Sequence, residues 1–229
     1  MSEIIRIKLS FSSIYLVKGR KAILVDTGMP GEEDKILQAI AQTGGKASDI
    51  SLILHTHAHV DHAGSSAVLA ARLGIPTAVH RLDESMMRSG RMNPLKPLGI
   101  EARMVKLMVN RPFPPVNPDL FVDESTDLST YGVEGRILHT PGHTAGSISV
   151  LMPSGEAIVG DLLRGGYLGG ELFGTHPKYH YFADDLQAMR TSIQKIIQFK
   201  TTRLYLGHGG PLEAVAVKAY FSKDIRVEE

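Results

Sequence analysis

No cysteine occurs among the 229 residues. That absence excludes disulfides, thiolate metal ligands and cysteine nucleophiles, and leaves histidine and carboxylate as the side chains able to bind a transition metal. It leaves the redox compartment undetermined. An excess of one charge is also missing: Lys plus Arg is 25 against Asp plus Glu 24, with no basic or acidic block. The field of the whole molecule is therefore weak, and nucleic acid is not an expected partner. Long apolar runs are missing too. The opening MSEIIRIKLS holds no core of signal-peptide length, and nothing approaches the roughly 18 apolar residues of a membrane span. These absences lead us to expect a cytoplasmic protein with a small-molecule substrate and no membrane partner, forming one domain over residues 1–229. The sequence is compatible with a homo-oligomer and does not specify one.

What is present alternates between strand and helix signals. Ile4 to Leu9, Ser13 to Val17 and Ala22 to Val25 read as opening antiparallel strands. From Gly31 the spacing turns helical, with acidic residues at Glu32, Glu33 and Asp34 where a first turn favours them, and Gly44-Gly45 ends the element. Ile50 to Leu54 reads as a buried strand, Ala63 to Leu73 as a helix closed by Gly74, and Pro76 to Val79 as a short strand. Arg81 to Asp119 reads as an insertion, helical over Leu98 to Met108 and then diverted by Pro112, Pro114, Pro115 and Pro118. Strands resume at Val133 to Leu138, Ser147 to Met152 and Ala157 to Val159. A helix over Asp184 to Phe199, a strand over Arg203 to Leu206 and a helix over Leu212 to Phe221 follow. This order fits two mixed sheets stacked face to face with helices outside.

The chemistry concentrates in Leu52 to Gly64, LILHTHAHVDHAG, which follows the buried strand. In extended chain His57 and His59 project the same way and can grip one ion together. Asp61 and His62 lie where the chain turns into a helix, diverge from that pair and can serve a second ion. Three further strand ends offer ligands beside glycine: His143 after Thr140-Pro141-Gly142, Asp161 after Gly160, and His208 after Gly207. Strand ends opening on one edge of the sheets would bring these groups together.

With HxHxDH at His57, His59, Asp61 and His62, then TPGHTAGS with His143, GD with Asp161, GHG with His208 and an early VDTG at Asp26, the chain resembles the metallo-β-lactamase superfamily of hydrolases. The motifs run in the expected order over nearly the whole chain. The resemblance implies an α/β (α+β) fold, a four-layer αββα sandwich. It assigns His57, His59 and His143 to a first ion and Asp61, His62 and His208 to a second, with Asp161 as the bridge. It places Asp26 as a hydrogen-bonding partner of a ligand or its loop. Two divalent metal ions are expected, zinc first, with iron or manganese also suited to nitrogen and oxygen donors. Such ions lower the pKa of a bridging water toward ~7, and Asp61 is expected to orient that nucleophile and take up its proton. The implied reaction is cleavage of a small ester, thioester or lactone by a metal-bound hydroxide.

Alternative activities on this fold are an iron-dependent persulfide dioxygenase and a phosphodiesterase. Several specialised relatives fit poorly. With about twenty residues after His208, no glutathione-binding extension of the glyoxalase II kind is expected, and the cysteine ligand of the commonest β-lactamases is missing. Neither a tRNA-binding arm nor the flavin domain and glutamate substitution of flavodiiron proteins is evident. Among the remaining polar residues, His55, His80 and His139 are expected to be packed or structural. The five-glycine stretch Arg164 to Tyr181 reads as a loop bordering the pocket, with Tyr167, His176 and Tyr181 as candidate substrate contacts from a group that also holds Tyr179 and His180. The methionines between Met86 and Met108 read as helical core, or as an adaptable apolar wall suited to an acyl chain.

Overall fold

The alternation at the start of the chain builds a meander. The computed structural model describes residues 2–222, so Met1 and residues 223–229 of the expected domain lie outside the described residues. Strands β1 (Glu3–Lys8), β2 (Ser13–Lys18) and β3 (Ala22–Val25) pair antiparallel. Helix α1 (Glu33–Gln42) carries Glu33 and Asp34 in its first turn, where the helix dipole favours them. Strand β4 (Ile50–Leu54) then joins β3 in parallel. Two helices follow, α2 (Val60–Ala63) and α3 (Ser66–Leu73), the latter closed by Gly74 in the left-handed region at φ 64°. The single helix expected over Ala63 to Leu73 is therefore broken near Gly64, and its first turn already contains Val60, Asp61 and His62. Strand β5 (Thr77–Val79), helices α4 (Glu84–Ser89) and α5 (Ile100–Val109) and the short strand β6 (Leu120–Phe121) complete the first half. Its six strands lie in sequence order.

The second half contains β7 (Arg136–His139), β8 (Ile148–Leu151), β9 (Glu156–Gly160), β10 (Leu163–Tyr167) and β11 (Leu172–Tyr179). Helix α6 (Leu186–Gln198), strand β12 (Arg203–Leu206), the two-residue strand β13 (Leu212–Glu213) and helix α7 (Ala214–Phe221) close it. Five of these strands form a mixed sheet in the order β13-β12-β9-β8-β7, while β10 and β11 pair apart as a hairpin.

Strand periodicity sorts the side chains into layers. Ile23, Val25, Leu52 and Leu54 from the first sheet share one buried cluster with Ile137, Ile148, Val150 and Ile158 from the second. Leu24 and Ile53 face the other way, against Ile36 and Ile40 of α1 and Leu69 of α3. On the far side Val159, Leu204 and Leu206 pack on Met189, Ile193 and Ile196 of α6 and on Val217 and Phe221 of α7. These three clusters define the expected αββα sandwich, and each fully buried Leu, Ile or Val in them contributes roughly 1.5–3 kcal/mol. The hairpin corrects the reading of Arg164 to Tyr181 as a loop. Its signal is hidden because β10 is built on Gly165 and Gly166 rather than on β-branched residues. A Cβ at Gly165 would run into the Gly174 carbonyl, so the close approach that pairs the strands demands the residue that conceals them.

Candidate metal centre

Topology alone brings the polar strand ends together. Strand β3 is parallel to β4, β9 is parallel to β12, and β7 runs with β9 because β8 is antiparallel to both. Within each sheet the carboxyl ends therefore open on one edge, and Asp26, His57, His59, His143, Asp161 and His208 all follow such ends. Close packing there constrains the backbone. A Cβ on Gly207 would collide with the Asp161 carboxylate and the His62 ring, which is why a glycine precedes His208.

The seven expected ligands converge, and all are buried. His57 Nε2 lies 3.2 Å and His59 Nδ1 2.9 Å from His143 Nε2, forming a first donor group. A second is made by Asp61, His62, Asp161 and His208. In it His208 Nε2 is 3.1 Å from Asp61 Oδ2, and His62 Nε2 is 3.4 Å from Asp161 Oδ1. The Asp161 carboxylate touches both groups, with Oδ2 3.5 Å from His143 Nε2 and 3.4 Å from His208 Nε2.

Hydrogen bonds on the outer side fix most of these rings. His62 Nδ1 donates to Asp26 Oδ2 at 2.8 Å, His143 Nδ1 to the Phe182 carbonyl at 3.0 Å and His208 Nδ1 to the Phe11 carbonyl at 3.1 Å. His57 Nδ1 meets Thr56 Oγ1 at 3.1 Å, and that hydroxyl donates to Asp26 Oδ2. A ring that donates outward from Nδ1 presents a lone pair inward at Nε2, as metal ligation requires. Burial pulls His57, His59 and His143 below the ordinary histidine range, His59 to about 4, and so keeps them neutral and ready to coordinate. Burial acts the same way on His62 and His208, but neighbouring carboxylates outweigh it. Asp161, Asp26 and Asp61 hold His62 well above its usual range, and Asp161 and Asp61 push His208 up to about 10. The second group thus calls for positive charge. His62 Nε2 and Asp161 Oδ1 are buried with no hydrogen-bond partner, and the donor set fits divalent cations.

A family model for the metallo-β-lactamase superfamily matches residues 7–208. The chain belongs to the metallo-β-lactamase superfamily. Among relatives, it is 28% identical over 202 residues to the probable metallo-hydrolase MJ0888 of Methanocaldococcus jannaschii, covering 86% of this chain and 87% of that one. It is also 28% identical over 201 residues to a β-lactamase-like protein 2 homolog of Caenorhabditis elegans, covering 87% of this chain and 56% of that longer protein. Of solved structures, TTHA1623 in a di-iron-bound form matches with a TM-score of 0.65 and 24% identity over 95% of this chain and 96% of the other. The subclass B3 metallo-β-lactamase BJP-1 of Bradyrhizobium japonicum matches with 0.67 and 22% over 98% and 89%. These two show the shared fold. The expectation of a metal-dependent hydrolase stands with the family.

Around this superfamily centre the other singled-out residues fall into distinct places. Asp26 accepts from His62 Nδ1, from Thr56 Oγ1 and from the Thr56 amide, the last two also at 2.8 Å. It therefore orients one candidate ligand, His62, and the loop that bears His57 and His59. His55 is packed beneath the centre on Ser66 and outside the donor groups. His80 and His139 stack on each other at 4.2 Å. A residue not singled out is Asp83, whose carboxylate accepts from the Ala58 amide, the Gly146 amide and the Thr144 hydroxyl. It ties the loop carrying His57 and His59 to the loop carrying His143.

A cavity of about 360 Å³ opens over the centre. Its floor includes His59, Asp61, Asp161, His180 and His208, and Met92, Leu95, Met104, Val105, Met108 and Val109 of the insertion form a wall. Met86 and Met87 are core, as one reading of the methionines held, whereas Met104 and Met108 belong to the wall. Of the three candidate substrate contacts only Tyr181 lines this cavity. Tyr167 instead lies under the Lys178 ammonium at 4.2 Å, and His176 is exposed against Phe173, so the structure brings neither to the cavity. The hairpin register pairs Leu163 with Tyr179, which delivers His180 and Tyr181 to the Asp161 end, while Leu168, Gly169 and Glu171 of the hairpin tip also line the cavity.

Proposed function

We propose that this chain is a dinuclear metal hydrolase of a small ester, thioester or lactone with an apolar acyl part. The observation that carries this reading is the pair of donor groups, with the Asp161 carboxylate against both, on the floor of a largely apolar cavity. His57, His59 and His143 would hold one ion, and Asp61, His62 and His208 the other, with Asp161 between them. Zinc suits the donors best, and iron or manganese also suits them. Bound there, the ions would supply Lewis acidity and a water ionising near pH ~7. The chain's own groups do the rest. Asp61 lines the cavity and accepts a hydrogen bond from the attacking water, orienting it toward the acyl carbon. Met104, Val105 and Met108 bury the acyl chain and exclude bulk water. The water oxygen ends on the acyl carbon, and its proton leaves with the alcohol or thiol.

Metal analysis of protein purified without added metal, followed by a screen of esters, thioesters, lactones, phosphodiesters and β-lactams, tests the reading. We expect two divalent ions per chain and turnover of carboxylic esters, thioesters or lactones. One iron per chain with oxygen consumption on a persulfide, or turnover confined to phosphodiesters, would overturn it.

A further inference from the structure

The floor of the cavity holds one histidine that the ligand assignment does not use. His180 is buried, lines the cavity, and places Nε2 3.1 Å from Asp161 Oδ2 without hydrogen-bonding to it. With His143 and Asp161 it even satisfies the spacing of a third donor group. Its outer nitrogen, however, is wired the opposite way from the ligands. His62, His143 and His208 each use Nδ1 to donate to an oxygen, which leaves an inward lone pair. At His180 it is the Phe182 amide that donates to Nδ1, at 3.3 Å. A neutral imidazole whose Nδ1 accepts must carry its proton on Nε2. The ring then offers a buried N–H at the floor of the cavity, 3.1 Å from Asp161 Oδ2 but out of line for a hydrogen bond to it. A buried donor left without an aligned partner is costly, and an acceptor on a bound ligand would satisfy it.

The geometry points to His180 as a further catalytic residue, whose Nε2–H donates a hydrogen bond to the substrate carbonyl oxygen as negative charge develops there. This assignment rests on the hydrolase reading above. No proton is transferred: the hydrogen bond strengthens as water adds to the acyl carbon and relaxes when the leaving oxygen or sulfur departs with a proton from that water. The position of His180 next to Asp161 puts the donor beside the place where the ions would polarise the same carbonyl, which is how an oxyanion site is built.

Two measurements test it. In zinc-loaded protein, long-range proton–nitrogen correlation NMR reads each ring's tautomer, and the His180→Gln spectrum identifies the signal that belongs to position 180. We expect Nε2–H at His180 and Nδ1–H at His62, His143 and His208; Nδ1–H at His180 would overturn the proposal in favour of a ligand. In kinetics, His180→Ala should keep both metal ions and a KM within a few-fold of wild type while kcat falls by about 10²-fold. His180→Gln, whose amide N–H reaches a similar place, should recover much of that loss. Metal content falling in step with activity in both variants, or unchanged kcat in His180→Ala, would overturn the assignment. If the wild-type enzyme turns over no ester, thioester or lactone, the hydrolase reading fails by itself. The tautomer then still decides: Nε2–H supports a donor at His180 and Nδ1–H removes it.

Discussion

The floor and the wall of the cavity are built on opposite plans. On the floor every expected ligand is buried, and His62, His143 and His208 each have the outer ring nitrogen tied to an oxygen from another part of the chain, while that of His57 meets the neighbouring Thr56 hydroxyl. The wall is built by Met92, Leu95 and the amphipathic helix α5, whose Met104 and Met108 are 68% and 56% exposed. A site that binds ions must hold donors to a few tenths of an ångström, and many cross-links between loops do that. A surface that accepts an apolar chain needs area and adaptability, and unbranched side chains with few neighbours provide them. The difference teaches that, on the proposed reading, reaction type and substrate choice fall to separate stretches of this chain, and substitutions should separate them.

The largest effect should come from the shared carboxylate. Asp161→Ala removes a carboxylate that lies against both donor sets, and His59→Ala opens the first. Both variants should lose bound metal, measured by elemental analysis, and lose turnover, while circular dichroism shows the fold retained. Full metal content with normal turnover in both would sink the ligand assignment.

Next comes the tie between the ligand loops. Asp83→Ala leaves the Ala58 and Gly146 amides and the Thr144 hydroxyl without their acceptor, which should cost roughly 2–4 kcal/mol in urea denaturation. Its pH dependence has a definite sign. Burial pushes the Asp83 carboxyl up to about 6 despite its three donors, from 3.8 in the unfolded chain. The stabilising contribution of the protonated form is therefore complete below about pH 4 and lost as pH rises through 6. Wild type should lose stability relative to Asp83→Asn across that window, by about 2–3 kcal/mol at most, and run parallel to it above. A constant difference across the window would show that Asp83 stays ionised.

On the wall side, kcat/KM should rise with acyl length in an ester or lactone series, by up to about fourfold per methylene if each is fully buried. The double variant Met104→Ser, Met108→Ser should flatten that rise and leave acetyl esters and metal content untouched. A flat series in the wild type would remove the acyl-binding role of the wall.

The sequence exposed the floor better than the wall, for a physical reason. Candidate ligands are local: HxHxDH, Asp161 and His208 stand out by residue type at strand ends and carry the family resemblance, and the order of strands and helices fits the stacked sheets that bring those ends to one edge. Asp83 escaped because its importance lies in three backbone and hydroxyl donors supplied by distant loops, which no local pattern records. His180 sat within a recognised aromatic and histidine-rich stretch, but selecting it over Tyr167 and His176 required the register of a hairpin whose strands are written in glycine. The methionines divided between core and wall according to where two helices of the insertion settle, again a matter of tertiary packing.

The smallest effect should come from the latch that joins wall to floor. Glu101, in the first turn of α5, accepts from the Tyr181 hydroxyl at 2.7 Å and the Leu168 amide at 3.1 Å, and faces the Arg164 guanidinium at 3.3 Å. That guanidinium lies 3.9 Å over the Tyr181 ring. Burial raises the Glu101 carboxyl, but these donors outweigh it and leave it below the usual glutamate range, so the latch is charged at neutral pH. A third of the Glu101 side chain meets solvent, and screening leaves such a contact little energy. Glu101→Ala should therefore raise KM for a long acyl ester only about two- to threefold, with kcat, metal content and the KM for an acetyl ester unchanged, while amide exchange quickens along α5. A fall in kcat of the size expected for His180→Ala would mean that the wall also positions the floor, and the two plans would no longer be separable.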